Sequence, residues 1–265
     1  LAKRGWRLFA TVRKESDRES LLKEWGEHRE LKEIGELAVL LCDVTKEAQV
    51  AELGRVVAAK TSALDALVNN AGTAFASPLE LIPISELRKQ FEINVFAQLA
   101  VTQSVLPLIK AAKGTIVNVS SISGRMTNPM SGPYSASKFA LEALSDALRV
   151  ELAHFGVKVV VIEPGSSPTA IWQTGKERAL GAVAERGLDT GAYQPLIDAA
   201  LKYMARVEAT GFPPQLFADT VEKILNSPHP RARYAIPARV RWLILLRRLA
   251  PDWAWDRLLR RVLRW

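Results

Sequence analysis

A tyrosine and a lysine four residues apart, Tyr134 and Lys138, form the pair in this chain whose types and spacing suggest acid–base chemistry. Residues at positions i and i+4 share one face of an α-helix, so a helix here would bring phenol and ammonium together. A nearby cation lowers the tyrosine pKa, as a general acid or base for an alcohol–carbonyl pair requires. The same spacing also occurs on ordinary solvated helix faces, so the pair needs support from elsewhere.

Two further polar residues stand where such chemistry could use them. Ser121 follows an apolar run and lies thirteen residues before Tyr134, and its hydroxyl could bond the same substrate oxygen. Its neighbour Ser120 has the simpler interpretation of a residue that caps a loop. Asn94 lies between the apolar residues Ile93 and Val95, where an amide usually has a buried partner. A core asparagine with satisfied hydrogen bonds is the alternative interpretation for Asn94.

The elements that must position these residues alternate along the chain. Apolar runs predict five strands, at residues 6–12, 37–42, 64–68, 115–119 and 157–162, and amphipathic patterns predict helices at 16–25, 46–60, 85–112 and 131–155. Strands rich in Val, Ile and Leu that alternate with helices predict an α/β fold, a doubly wound parallel sheet covered on both faces. Ligands of such sheets bind at the carboxyl ends of the strands.

Several motifs together resemble the short-chain dehydrogenase/reductase family from residue 6 to about residue 169. They occur in the order and at the spacings of that family: Asn69-Asn70-Ala71-Gly72 after a strand, Asn94, Ser121, Tyr134 with Lys138, and Pro164-Gly165. The resemblance implies a Rossmann-type domain that transfers a hydride between a nicotinamide cofactor and a carbonyl or alcohol. Agreement of several motifs at once makes the resemblance specific.

The resemblance also implies roles for individual residues. Tyr134 would donate the proton to the carbonyl, and Lys138 would lower the pKa of Tyr134 and hold the nicotinamide ribose. Ser121 would polarise the carbonyl oxygen, and Asn94 would anchor a water next to Lys138. Further cofactor contacts are implied for Asp43 and Val44 at the adenine, Asn70, Ala71 and Gly72 at the adenine ribose, and Pro164, Gly165 and Thr169 at the nicotinamide.

One departure from the family pattern concerns the start of the chain. The family's first strand and Gly-rich phosphate turn would precede Leu1, and we expect them to be missing by truncation. Arg13, with Lys14 beside it, follows the first visible strand, where an acidic residue favours NAD and an arginine favours NADP. We therefore expect NADP as the preferred cofactor and NAD as the alternative, while a solvated basic pair is the other interpretation of Arg13.

Composition limits the function classes. Of the net charge of +8, residues 238–265 contribute +6, with eight Arg against two Asp, so the charge belongs to a tail and a nucleic-acid domain is disfavoured. The three histidines lie in no ligand-spaced motif, and no metal is expected. We expect one oxidoreductase domain over 1–237, with a substrate-loop region at 166–214, and a basic amphipathic tail over 238–265. A cytoplasmic location and a homodimer or homotetramer are expected.

The tail has two interpretations. Pro251 divides it into two short helices, and in the second Trp255, Leu258, Leu259 and Val262 can share a face, with Arg residues largely on the other. This pattern is typical of a helix on a membrane surface, and equally of a helix packed on the domain or on a second subunit. Similarity to the retinoid and steroid branch of the family favours a lipophilic substrate.

Two other functions remain as alternatives to an NADP-preferring oxidoreductase. A cofactor-binding sensor or scaffold without turnover would usually have lost the tyrosine or the lysine, and both are present here. An epimerase or dehydratase acting on sugar nucleotides would need a larger carboxyl-terminal domain than the residues after Gly165 supply.

Overall fold

Six parallel strands form two sheets in the computed structural model, which describes residues 1–27, 35–168, 174–175, 177–179, 181 and 190–263. Strands β1 (Leu8–Val12) and β2 (Leu37–Leu41) pair with each other. A four-stranded sheet follows in the order β3 (Ala66–Asn69), β4 (Thr115–Val119), β5 (Lys158–Pro164) and β6 (Arg233–Ile236). The single sheet expected from the sequence is thus divided, because β1 and β3 do not hydrogen-bond to each other.

α-Helices surround these strands in the described part of the chain. They are α1 (Glu15–Gly26), α2 (Glu47–Ala58), α3 (Ile84–Phe91), α4 (Ala97–Ala112), α5 (Gly132–Glu151), α6 (Gln194–Ala209), α7 (Pro214–Leu225), α8 (Val240–Leu249) and α9 (Asp252–Leu263). Helices and parallel strands alternate through β5, as the sequence pattern predicts for an α/β fold.

The hydrophobic core lies on both faces of the four-stranded sheet. On one face Val117, Val160 and Ile162 pack with Val221 and Ile224 of α7. On the other face Ile116 and Val159 pack with residues of α4 that include Val105 and Ile109. Neighbouring residues of a strand point to opposite faces, so the unbroken apolar runs of β4 and β5 serve both layers.

The structure differs from the prediction in three places. The helix expected at 85–112 begins at Ile84 and contains a π-helical turn, Glu92–Phe96, between α3 and α4. Residues 194–209, expected to belong to a loop region, form the helix α6. Strand β6 was not predicted, because its four residues carry the charged Arg233 and lack the long apolar run of the other strands.

The continuous helical stretch from Ile84 to Ala112 is long and apolar enough to cross a bilayer, judged by length and composition alone. Its residues Val101, Val105 and Ile109 are buried in the protein, as expected for the core helix of an α/β domain.

The tail forms two helices on either side of Pro251, as predicted from the sequence. The predicted apolar face of the second helix is only partly correct. Trp255 is buried and Leu259 is half-buried, whereas Leu258 and Val262 are exposed, so these four residues do not form one exposed face. Packing against α6 turns the Trp255 side of α9 inward.

Candidate active site

Tyr134 and Lys138 lie one turn apart on α5, whose first turn contains Pro133. The ammonium of Lys138 lies 5.7 Å from the centroid of the Tyr134 ring. The side chain of Lys138 is buried, and its Nζ donates a hydrogen bond of 2.8 Å to the carbonyl of Val119. Because Val119 is the last residue of β4, this bond holds the lysine at the carboxyl edge of the sheet.

Ser121 reaches the same place from the end of β4. It caps a short 3₁₀ turn, and its Oγ accepts a hydrogen bond of 3.0 Å from the amide of Ser123. The Ser121 hydroxyl also lies close enough to Tyr134 to lower the pKa of the phenol. Ser120 points elsewhere, and its buried Oγ has no hydrogen-bond partner among the described residues. The structure therefore pairs Ser121, and not Ser120, with the tyrosine.

Asn94 connects the π-helical turn to two other segments. Its Oδ1 accepts from the Thr73 amide at 2.9 Å, while its Nδ2 donates to the Thr73 carbonyl at 3.0 Å and to Ser137 Oγ at 3.0 Å. Asn94 thus links the loop after β3 to α5. Its contact on α5 is Ser137, in the turn that carries Tyr134 and Lys138. The role of Asn94 as a water anchor remains a prediction.

Burial sets the proton affinities of the pair. Removal of Lys138 from water lowers its pKa to about 8, and the negative charge of Glu142 opposes this change. Burial also raises the pKa of Tyr134, although the hydrogen bond from Ser121 acts in the opposite direction. That Lys138 lowers the pKa of Tyr134 remains a prediction. The lysine ammonium donates a hydrogen bond to the Val119 carbonyl. Burial has the largest effect on the pKa of Tyr134.

The predicted cofactor contacts lie at the carboxyl ends of the strands. Exposed Arg13 follows β1, and its charge helps to lower the pKa of Asp43, which follows β2, although burial of that carboxyl acts against this. Asp43 also accepts two hydrogen bonds from Thr45, at 3.0 and 2.8 Å. Its neighbour Val44 packs on the apolar cluster around Val50, which is a structural contact. Arg13 and Asp43 thus form one end of the candidate site.

The other predicted contacts follow β3 and β5. Asn70 and Ala71 are exposed after β3, and Gly72 lies beside Asn94 and Lys138, where a Cβ would meet Oδ1 at 3.6 Å and Nζ at 3.8 Å. At the end of β5, the Pro164 carbonyl accepts a long bond of 3.4 Å from Ser121 Oγ, and the Gly165 amide donates to the Ile236 carbonyl. Thr169 lies outside the described residues.

These positions suit the two ends of a nicotinamide dinucleotide. In a bound dinucleotide, Arg13 would supply a cation for a ribose phosphate, and Lys138, Tyr134 and Ser121 would supply hydrogen-bonding groups for the nicotinamide end. A surface cavity of about 440 Å³ lined by Arg7, Glu36 and Lys60 opens at the amino ends of β1 and β2, at the edge of that sheet opposite to Arg13. That cavity therefore plays no part in this site.

A buried charged network behind Lys138 was missed in the sequence. Arg233 of β6 donates to Glu142 at 3.0 Å and to Asp146 at 2.7 Å, and it lies 3.4 Å from Glu163. Arg125 also donates to Glu163, at 3.0 Å. Burial and the nearby Glu142 raise the pKa of Glu163, and the two arginines oppose this.

The sequence held one usable signal for this network. Glu142 lies four residues after Lys138 on a helix whose buried face includes Leu141 and Ser145, so it had to share the lysine's environment. The partner Arg233 had no such signal, since it comes from the unpredicted strand β6.

A family model described as short chain dehydrogenase matches residues 1–179. The chain is 36% identical over 264 residues to an NADPH-dependent 3-dehydrocapnine reductase of Ornithobacterium rhinotracheale, covering 96% of this chain and 88% of that protein. It is 32% identical over 201 residues to a 3-ketodihydrosphingosine reductase of Bacteroides thetaiotaomicron strain ATCC 29148, covering 76% and 72%.

A solved structure of a short-chain dehydrogenase from Streptomyces avermitilis superposes with a TM-score of 0.75, at 24% identity, covering 97% of this chain and 89% of that one. At this identity the likeness concerns the fold alone. It supports the doubly wound α/β architecture.

Proposed function

Because the chain belongs to the short-chain dehydrogenase/reductase family and is an oxidoreductase of that family, we propose that it reduces a ketone on a lipophilic substrate with NADPH. The observation that carries this proposal is the convergence of Tyr134, Ser121 and Lys138 at the carboxyl edge of β4. A phenol beside a serine hydroxyl, with an ammonium behind it, is suited to protonating the oxygen of a carbonyl group.

In the proposed reaction the side chains of this protein handle the oxygen and its proton. The nicotinamide, when bound, supplies the hydride for reduction and takes it up in the reverse direction. Ser121 orients the carbonyl oxygen by hydrogen bonding, and Tyr134 donates the proton that converts the developing alkoxide to an alcohol. Lys138 holds the cofactor ribose and stabilises the phenolate with its charge, and Asn94 keeps the turn carrying both residues in place.

NADPH is proposed as the cofactor on two grounds. Arg13 lies beside Asp43 at the strand ends where the adenosine ribose is expected, and a guanidinium binds a phosphate through strong, charge-assisted hydrogen bonds. A relative that covers nearly the whole chain bears the name NADPH-dependent reductase.

The lipophilic ketone is proposed from the two relatives described above, whose names state the reduction of a 3-dehydro or a 3-keto substrate. The exposed apolar surface of the tail agrees with such a substrate, because a lipid must be collected from a membrane or micelle.

Self-association is part of the proposal. Phe96 and Phe139, on the π-helical turn and on α5, are 57% and 46% exposed although they are large and apolar. These two elements contact each other, so a second copy of the chain could cover both side chains at once.

The test is consumption of NADPH, followed by its absorbance, with long-chain 3-keto lipids in mixed micelles and with short water-soluble ketones. We expect turnover that prefers the lipids. Binding of NADPH without turnover of any carbonyl or alcohol would favour the alternative of a cofactor-binding sensor, which the retained Tyr134 and Lys138 argue against.

A further inference from the structure

The tail helix α8 has its apolar face directed away from the protein. Trp242, Leu245, Leu246 and Leu249 follow the i, i+3, i+4, i+7 spacing of one helix face, and they are 60, 42, 53 and 74% exposed. No residue of α8 is buried. Trp253 at the start of α9 is 71% exposed as well. These five residues are called the outer apolar face below.

The opposite side of α8 attaches the helix to the domain. Val240 and Ile244 are half-buried, and Val240 packs on Gly165, where a Cβ would lie 3.3 Å from Cγ2 of Val240. Arg247 is also half-buried, and it donates to Asp252 at 2.7 Å and to the Ala250 carbonyl at 3.2 Å. The orientation of the outer apolar face is therefore set by packing on the other side of the helix.

Free cations flank the outer apolar face. Arg241 and Arg248, seven residues apart and so on one side of α8, are exposed and make no ion pair with any described residue. The guanidinium of Arg241 lies 4.9 Å from the centroid of the Trp242 ring. On α9 the exposed Arg257, Arg260 and Arg261 add positive charge.

We propose that this tail docks the protein on the surface of an anionic lipid membrane, with the outer apolar face in the headgroup region. Leucine and tryptophan on one side of a surface helix, with arginine beside them, suit the boundary between headgroups and acyl chains. The charge of the tail favours a membrane over a second copy of the chain as its binding partner. A second copy would bring together two tails of net charge +6, which repel each other. Anionic lipid attracts each basic residue instead.

The position of the tail gives docking a consequence for the site. Val240 touches Gly165 in the segment after β5, and α9 lies over Pro129, five residues before Tyr134, where Leu259 and Leu263 line a small cleft. Both loops that frame the candidate active site thus contact the tail. A protein docked through the tail would hold its site next to the lipid layer.

The experiment is flotation of the full chain with vesicles of phosphatidylcholine, alone or mixed with phosphatidylglycerol. We expect flotation with the anionic vesicles, weakened by salt, and little with the neutral ones. The double substitution Arg241→Gln and Arg248→Gln should weaken binding about 30-fold, the factor for two basic residues. Leu246→Gln with Leu249→Gln should weaken it more than about tenfold, because two apolar side chains leave the lipid.

Matched variants distinguish the contribution of the tail from the effects of total charge and of exposed apolar surface elsewhere in the protein. Arg88→Gln with Lys89→Gln on α3 removes the same charge, and Val150→Gln removes an exposed apolar side chain from α5. Both should float like the parent protein.

The proposal fails if the parent protein does not float with anionic vesicles at low salt, or if neutral vesicles bind it equally well. It also fails if Leu246→Gln with Leu249→Gln leaves flotation unchanged but converts a dimer to a monomer in sedimentation, since a second copy then covers this face. These readouts need no turnover, so they are independent of the proposed reaction.

Discussion

The ammonium of Lys138 and the carbonyl of Val119 are joined by a hydrogen bond of 2.8 Å, which ties α5 to the carboxyl end of β4. Ser121, two residues after Val119, lies beside Tyr134 and lowers the pKa of its phenol. The helix is therefore held at the strand end, and Ser121 and Tyr134 are brought next to each other.

Removal of the phenol hydroxyl should abolish proton donation. Tyr134→Phe is expected to lower kcat by about 100-fold or more, the usual scale for loss of a general acid. The measurement is steady-state reduction at saturating NADPH, with Tyr203→Phe on the exposed face of α6 as control. Near-normal turnover in Tyr134→Phe would overturn the assignment of this residue.

Glu142 should tune the protonation of Lys138. Its carboxylate raises the pKa of the buried lysine against the larger effect of burial, which brings that pKa to about 8. In Glu142→Gln the lysine should lose its proton at a lower pH, so the alkaline limb of the kcat profile should move to lower pH.

Asp146→Asn is the control for Glu142→Gln, since Asp146 bonds to Arg233 and Arg149 and lies one further turn away from Lys138. A merely structural role of Glu142 would lower stability and leave the midpoint of the pH profile where it is in the parent protein.

The buried lysine also predicts how stability depends on pH. The folded protein holds the Lys138 pKa at about 8, below the ordinary 10.5 of the unfolded chain, so folding releases a proton between these values and stability rises with pH there. Lys138→Met should remove this rise, which denaturant melts of both proteins across that interval would measure. An identical pH dependence in the variant would show that the lysine is hydrated.

Arg13 should decide between the two cofactors. We expect NADPH to bind more tightly than NADH, and Arg13→Ala to weaken NADPH binding roughly tenfold or more through loss of a charge-assisted bond. NADH binding should hardly change. Titration of both cofactors measures this, and Arg7→Ala, at the opposite end of β1, is the matched control. Equal affinities in the parent protein would reject the preference for NADPH.

Arg233 should support the buried carboxylates. Arg233→Met leaves Glu142 without its cation, and the cost should be about 2 to 3 kcal/mol, below the full range for buried pairs because Arg233 is 26% exposed. Because the pKa of Glu163 is already raised, its protonation should make the loss smaller as the pH falls below 7. Arg149→Ala, which breaks an exposed pair, should cost about 0.5 kcal/mol. Equal costs for both variants would contradict a buried network.

The exposed phenylalanine of α5 should matter for self-association. We expect Phe139→Asp to weaken dimer formation in sedimentation velocity without lowering the midpoint of denaturant unfolding by more than surface substitutions do. A monomer across the whole concentration range in the parent protein would contradict the proposed oligomer.

Much of the frame could be predicted because it depends on local pattern. Strand β4 was predicted with its observed bounds, since its apolar run is read directly from the sequence. The pair Tyr134 and Lys138 followed from helical periodicity, and the division of the tail at Pro251 followed from the chemistry of proline. Such features need only the nearest neighbours in the chain.

Other features were decided by tertiary packing. Strand β6 forms because β5 offers a hydrogen-bonding edge, and only that pairing carries Arg233 to Glu142. Likewise, Trp255 is buried by α6, whereas Trp242 remains outside, although both lie in similar Leu- and Arg-rich sequence. The pKa of Tyr134 rises because burial of the phenol outweighs its hydrogen bond, and burial depends on segments distant in the chain. Sequence spacing thus determined which residues could act together, and long-range packing determined their charge and exposure.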